Sequence, residues 1–324
     1  MNADAAVLAI DETRAELQGF RSYYQKEIEP WMAEQKDKQK GAWRWALMVG
    51  IPSLVGFPIA IWLFFFVLSW ETWAFIIIAL YVVGLGALTI WPLNKLKGEI
   101  KSFLVTKVCG FFNFDYSETA SGSGFDQFEK SGLLPGYDRR DLEDEIKGEH
   151  SGVPFDLVEC KLEDERRDSK GRTTYVQIYH GVLFRFNFPK DFEGQTLVVK
   201  DSGKIGNFFK GMKKKGERIN LEDPRFEKQF EVWGTDQIEA RYLLTPTFME
   251  RVVELASSMG EKRVELCFNG NRLLVSVHVS KNQFEGGSIF TSVTDKRRVE
   301  ELVNEICKIF DIIDTLKLTL QSKI

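Results

Sequence analysis

The sequence predicts an α+β protein in which a helical membrane hairpin precedes an antiparallel-sheet domain that ends in a helix. Three observations carry this expectation. Two long uncharged segments lie close together near the N-terminus, period-two alternation governs the middle of the chain, and helix-period patterns occupy both ends. The chain has 324 residues and a formal net charge of −4, which argues against a general nucleic-acid binder.

The first 44 residues read as a cytosolic helical arm. Ile10, Leu17, Phe20, Tyr24, Ile28 and Trp31 recur at mainly three- and four-residue steps, giving one apolar stripe. Pro30 interrupts it and is expected to start a second helix that runs into the membrane. Residues 45–68 and 73–91 then carry no charge. A bilayer core needs about 20 apolar residues of helix, so each segment is long enough to span. The connection Ser69-Trp70-Glu71-Thr72 allows only a tight turn.

Lys36, Lys38, Lys40 and Arg44 precede the first span, and Lys95, Lys97, Lys101 and Lys107 follow the second. The positive-inside rule therefore places both termini in the cytoplasm and Glu71 outside, in an inner-membrane protein whose first partner is the lipid bilayer. Tryptophans at 43, 45, 70, 73 and 91 fall where interfacial belts are expected. Pro52 and Pro58 are expected to kink the first span, and Gly56 and Ala60 have the spacing of closely packed membrane helices. Neither span contains an ionisable side chain, so no ion pathway is indicated.

Residues 93–124 read as a juxtamembrane helix and a Gly/Ser-rich linker, and 125–324 as a cytosolic α+β domain. Within it, RRDLEDEIKGEHSG is read as an acidic run. From Val153 the chain alternates, and DERRDSKGR is the expected hairpin loop before a strand with Val176, Ile178, His180, Val182, Phe184, Phe186 and Phe188 on one face. Thr196–Val199 reads as a third strand. Asn269-Gly270 predicts a type I′ hairpin with Leu266 facing Leu273, Cys267 meeting Arg272 and Glu261 opposite His278. Near the end of the chain, Val299, Leu302, Ile306, Ile309, Ile313 and Leu316 alternate at steps of three and four. The seam serves either a coiled coil, by self-association or with a partner, or packing of the helix on its own domain.

Chemistry-bearing motifs are sparse. Cys109, Cys160, Cys267 and Cys307 are scattered and read as reduced, buried thiols; no cofactor or metal is expected, and no catalytic residue is assigned. His180 stands on an apolar strand face, where it serves as a ligand or base, or as a buried histidine with one satisfied hydrogen bond. Lys204, Lys210, Lys213, Lys214, Lys215 and Arg218 surround Phe208, Phe209 and Met212, either touching anionic lipid headgroups or lying in a solvated loop.

In FEVWGTDQIEARYLLTP, Asp236 and Glu239 have capping-box spacing, and Thr245 caps the next helix before Pro246. Leu244 and Met249 form the staple, Ile238 and Tyr242 share a packing face, and Arg241 has no evident partner. The phrases EDEIKGEHSGVPFDLVE, FRFNFPKDFEGQTLVV and DPRFEKQFEVWGTDQIEARYLLTPTFMERV resemble a bacterial membrane protein family known as domain of unknown function 3137, over about residues 90–290. That resemblance implies the same architecture of two spans and a soluble domain. It brings no activity. The leading expectation is a non-enzymatic membrane protein presenting a binding or scaffold module; the alternative is a membrane-tethered enzyme or lipid-sensing module at the cytosolic leaflet.

Overall fold

The computed structural model describes residues 8–62, 71–167, 171–201, 216–259, 263–279, 282–284 and 291–321. Side chains at 53–55, 60, 71–79, 82, 188–190 and 316–321 are outside that description. The chain forms two units, one of residues 1–111 with 285–303, the other of 112–284 with 304–324. The division falls at Phe111/Phe112. The helix after the second apolar segment stops at Phe111, Asn113 turns left-handed (φ 59°), and the next residues enter a sheet.

In the first unit, α1 (Phe20–Tyr23) runs through a π turn (Tyr24–Ile28) into α2 (Glu29–Trp62). Pro30 lies within continuous helical backbone rather than at a new helix start, directly after the π turn that leads into α2. The helix α3 (Glu71–Phe111) packs antiparallel to α2. Trp45 Nε1 donates to Leu88 O at 3.2 Å, and Trp31 stacks on Phe103 with centroids 3.8 Å apart. The predicted N-terminal stripe is buried at Ile10, Leu17, Phe20, Tyr24 and Ile28, with Leu104 and Val108 of α3 in the same core. Burial is the first cause that raises the Tyr24 phenol to about 12. Helical residues Ala15–Ile59 are long and apolar enough to include one membrane crossing by length and composition. The segment 291–303 also belongs to this unit. Gln39 donates to Thr291 O and accepts from Val293 N, both at 3.0 Å.

The second unit is built on a seven-stranded antiparallel sheet. Its strands are β1 (Asp115–Thr119), β2 (Arg139–His150), β3 (Val153–Arg167), β4 (Thr173–Lys200), β5 (Glu217–Ile219), β6 (Phe230–Gly234) and β7 (Val264–His278). The acidic run 139–150, to which sequence reading assigned no element, is a strand. It accommodates its carboxylates at a bulge between Glu143 and Ile146, where Asp144 (φ 53°) accepts from Tyr116 and Glu145 from Ser121. Ser151 and Gly152, both left-handed, turn it into β3. The β3–β4 connection is shorter than expected, lying within 168–172.

Both β4 and β7 fold back on themselves. His278 N donates to Arg263 O at 2.9 Å, so the two ends of β7 meet and its tip is a hairpin. The register of that bond sets Leu266 opposite Val275 and Cys267 opposite Leu274, two residues from the expected pairing. The turn is centred on Gly270-Asn271 instead of Asn269-Gly270. Gly270 has φ 58° whereas Asn269 is not left-handed, as a glycine at the first central position of a two-residue turn favours. His278 lies beside Gly181, and Glu261 is outside the described residues.

The β7 hairpin inserts between the arms of β4. Residues 181–187 pair with one arm of β7 and 195–198 with the other, and Phe192 passes opposite Gly270 at the tip. Thr196–Val199 is therefore the returning arm of β4, bonded to β6 on its outer side.

Helices cover both faces of the sheet. On one face lie Phe155, Leu157, Val182, Phe184, Phe186 and Val275, with α8 (Arg297–Gln321) over part of them and α7 (Pro246–Ser258) beside Phe268. On the other, α4 (Phe125–Ser131) places Phe125 and Phe128 against Cys160, Tyr179, Leu183, Leu197 and Leu274. The four cysteines are free and buried. Val299, Leu302, Ile306, Ile309 and Ile313 are buried within the chain, so a partner for that seam would have to displace intramolecular contacts. The Leu316 side chain lies outside the described ones.

Candidate functional site

The phrase that looked most like chemistry builds an open groove from three helix starts. After β5, Asp223 caps α5 (Pro224–Glu227): its Oδ1 accepts from Arg225 N at 2.8 Å and Phe226 N at 3.2 Å. After β6, Asp236 Oδ1 accepts from Ile238 N and Glu239 N at 2.8 and 3.0 Å, starting α6 (Gln237–Leu243). Thr245 Oγ1 accepts from Phe248 N at 3.3 Å and opens α7 directly behind it. Each cap satisfies helix N–H groups that would otherwise lack partners, which fixes where one helix ends and the next begins. The cleft of about 450 Å³ among them is lined by Leu221, Glu222, Asp223, Pro224, Arg225, Arg241, Leu244, Pro246 and Met249.

Glu239 does not complete the expected capping box. Its carboxylate instead accepts from Glu193 N at 2.7 Å and Gly194 N at 2.6 Å, binding the bend that carries β4 around the β7 hairpin. The physical reason is that the bend exposes two consecutive N–H groups with no ladder partner, and a carboxylate satisfies both. Glu239→Ala is expected to cost about 1–3 kcal/mol through these lost charge-assisted bonds. Hydrogen exchange at Glu193 and Gly194 should accelerate; unchanged exchange there would contradict the clamp.

The outer face of α6 differs from expectation more sharply. Ala240 and Leu243 point inward, whereas Ile238 is 83% exposed and Tyr242 50% exposed. They are i and i+4, so they share one outward face with Arg241 beside them. Sequence reading assigned this pair to packing. The usable signal was that a seven-residue helix carries apolar residues on both of its faces, which a one-sided fit to a sheet does not require. Glu222 Oε1 lies 4.0 Å from the Arg241 guanidinium.

His180 sits elsewhere, paired with a buried carboxylate. Its Nε2 lies 2.7 Å from Glu159 Oε1, and both residues are buried. Glu159 also accepts from Gln283 N at 2.9 Å. Burial, followed by the Lys161 charge, lowers the His180 pKa. On the opposite face Tyr179 Oη meets Ser276 Oγ at 2.8 Å and packs edge-on to His278. A Cβ on Gly181 would fall 2.4 Å from that hydroxyl, so glycine is needed for Tyr179 to cross the sheet. This arrangement secures strand pairing.

Of the lysine-rich stretch, Lys204, Lys210, Lys213, Lys214 and Lys215 lie outside the described residues. Arg218 is exposed on β5, paired in register with Trp233.

Comparison with known proteins gives a family match over part of the chain and a distant structural likeness. Residues 177–318 match the model of DUF3137, a protein family of unknown function. The match runs from β4 through α8 and includes the groove, but starts later and ends later than the resemblance read from the phrases. No curated protein matches the chain. Among solved structures, the chain is similar to the crystal structure of the mycobacterial trehalose monomycolate transport factor A, TtfA. The identity is 10%, the TM-score is 0.36, and the likeness covers 67% of this chain and 95% of that one.

Proposed function

We propose that this chain is an integral inner-membrane protein that crosses the bilayer twice, through α2 and α3, and presents its α+β domain to the cytosol as a binding or scaffold module. The observation that carries the anchoring is the distribution of exposed apolar side chains. Among the described residues, twelve of the fourteen large hydrophobics that stand exposed lie on α2 and α3, including Leu47, Met48, Ile51, Leu80, Val83 and Leu88. Water would oppose such a surface, whereas lipid covers it without cost. The lysines and Arg44 that flank the two apolar segments support cytoplasmic termini. The other two exposed hydrophobics, Ile238 and Tyr242, lie on α6, the helix whose Arg241 lines the groove, and support the binding role of the domain.

Alkaline carbonate treatment of membranes should leave the protein in the pellet. The four native cysteines are buried, so an introduced thiol can be read against a low background. Glu71→Cys should react with an impermeant maleimide from outside, and Lys38→Cys only after the membrane is opened. Release by carbonate, or the reverse labelling pattern, would overturn the two-span reading.

A further inference from the structure

The groove among α5, α6 and α7 joins two arginines and two carboxylates to an apolar floor, and the loose pairing of its arginines points to a ligand class. We infer that it binds an anionic amphiphile, with a carboxylate or phosphate head between Arg225 and Arg241 and an apolar tail along Leu221, Leu244, Pro246 and Met249. This rests on the binding-module reading of the domain and supplies the chemistry that reading leaves open.

The head-group assignment comes from how the two arginines are held. Arg241 Nη1 is 4.0 Å from Glu222 Oε1, and that glutamate side chain is 95% exposed. Arg225 Nη2 is 3.5 Å from Glu250 and 3.8 Å from Asp223. These separations exceed hydrogen-bond length, and solvent-exposed pairs of this kind contribute about 0–1 kcal/mol. The same domain makes a tight pair where structure needs one: Arg185 reaches Asp156 at 2.8 and 2.7 Å through two nitrogens, mostly out of solvent. Asp223 Oδ1 is already engaged as the α5 cap, accepting from two amides. An incoming anion therefore exchanges weak solvated contacts for charge-assisted bonds from two guanidinium groups.

The tail assignment comes from the floor. Leu244 and Met249 are buried yet line the cleft, and Pro224 and Pro246 border it with rings that carry no N–H. Such a floor presents little for water to bond and favours alkyl contact. Ile238 and Tyr242 continue the apolar surface past Arg241 on the outer face of α6. The volume, about 450 Å³, is within the range for small-molecule sites.

The test uses the full chain in zwitterionic-lipid nanodiscs, titrated calorimetrically against empty discs. The probes are octanoate and octyl phosphate, with octanol, octyltrimethylammonium and inorganic phosphate as comparisons. Saturable one-to-one binding of octanoate, octyl phosphate or both is expected, and which one binds separates a fatty-acid source from a phospholipid-like one. Arg225→Gln combined with Arg241→Gln should weaken it by about tenfold or more while leaving amide exchange in β7 unchanged. Equal binding of octanol or the cation, equal binding of inorganic phosphate alone, undiminished binding by the double variant, or heats matching empty discs would each overturn the inference. None of these outcomes bears on carbonate extraction or thiol labelling, so failure of the groove and failure of the anchoring are separable.

Discussion

Replacing Phe310 by alanine is expected to destabilise the second unit by about 3–5 kcal/mol. Phe310 is buried on α8 where three aromatic rings converge. Its ring stacks 4.5 Å from His150 and makes edge contacts with Phe112 at 5.1 Å and Phe114 at 5.8 Å. Phe114 in turn stands edge-on to Phe155 of β3 at 5.0 Å, so the ring joins the helix to the sheet through two aromatic layers. Removing it opens a cavity among these rings, and Phe114 is itself seated on Gly148, where an added Cβ would lie 2.3 Å from it. Urea-dependent hydrogen exchange of β2 and β3 amides in the full chain measures the loss. A change below about 1 kcal/mol would mean that α8 does not hold the sheet through this contact.

The second large effect is a loss of stability in mild acid. Burial first, then the charges of Arg263 and His180, lowers the His278 pKa to about 4. In the unfolded chain an imidazole titrates near about 6.5. The folded value is depressed, so between these two values the unfolded chain binds more protons. Stability from this group is complete above about pH 6.5 and is lost as pH falls toward 4. Between pH 6.5 and 5 the loss is about 2 kcal/mol from His278 alone, at about 1.4 kcal/mol per unit. His180, also lowered by burial, adds in the same direction. Asp156 is raised, with burial as the first cause, and opposes the trend; the comparison with His278→Leu isolates the histidine. Urea midpoints read at β7 amides should fall between pH 6.5 and 5 in the parent and flatten in the variant. Equal slopes would remove His278 as the source.

How legible the site was can be argued from the residues of the 230–250 phrase. Asp236 and Thr245 accept the amides two to three residues ahead, a relation that sequence spacing states directly. Glu239 has the same local spacing, yet its partners lie 45 and 46 residues away, on a bend that only the finished sheet brings near. Ile238 and Tyr242 were legible as a pair. Which side of α6 faces solvent was not, because Ala240 and Leu243 offered a smaller competing face.

By itself the sequence determined the features that act over a few residues. These are the α+β class, the paired long helices before the sheet, the β3–β4 hairpin, the helix caps and the apolar stripe of α8. Period and capping are local physics, and their partners lie within about one turn or one strand pair. The tertiary structure decided how the pieces combine: the insertion of the β7 hairpin between the arms of β4, the two-residue difference in its register, the carboxylate-bearing bulge of β2 and the outward face of α6. Each depends on which distant backbone or side chain offers a partner, and burial rewards the pairing that satisfies both sides of the sheet. Thus Arg241, a residue without an evident partner in the sequence, is placed by the tertiary structure in a groove that Arg225 also lines.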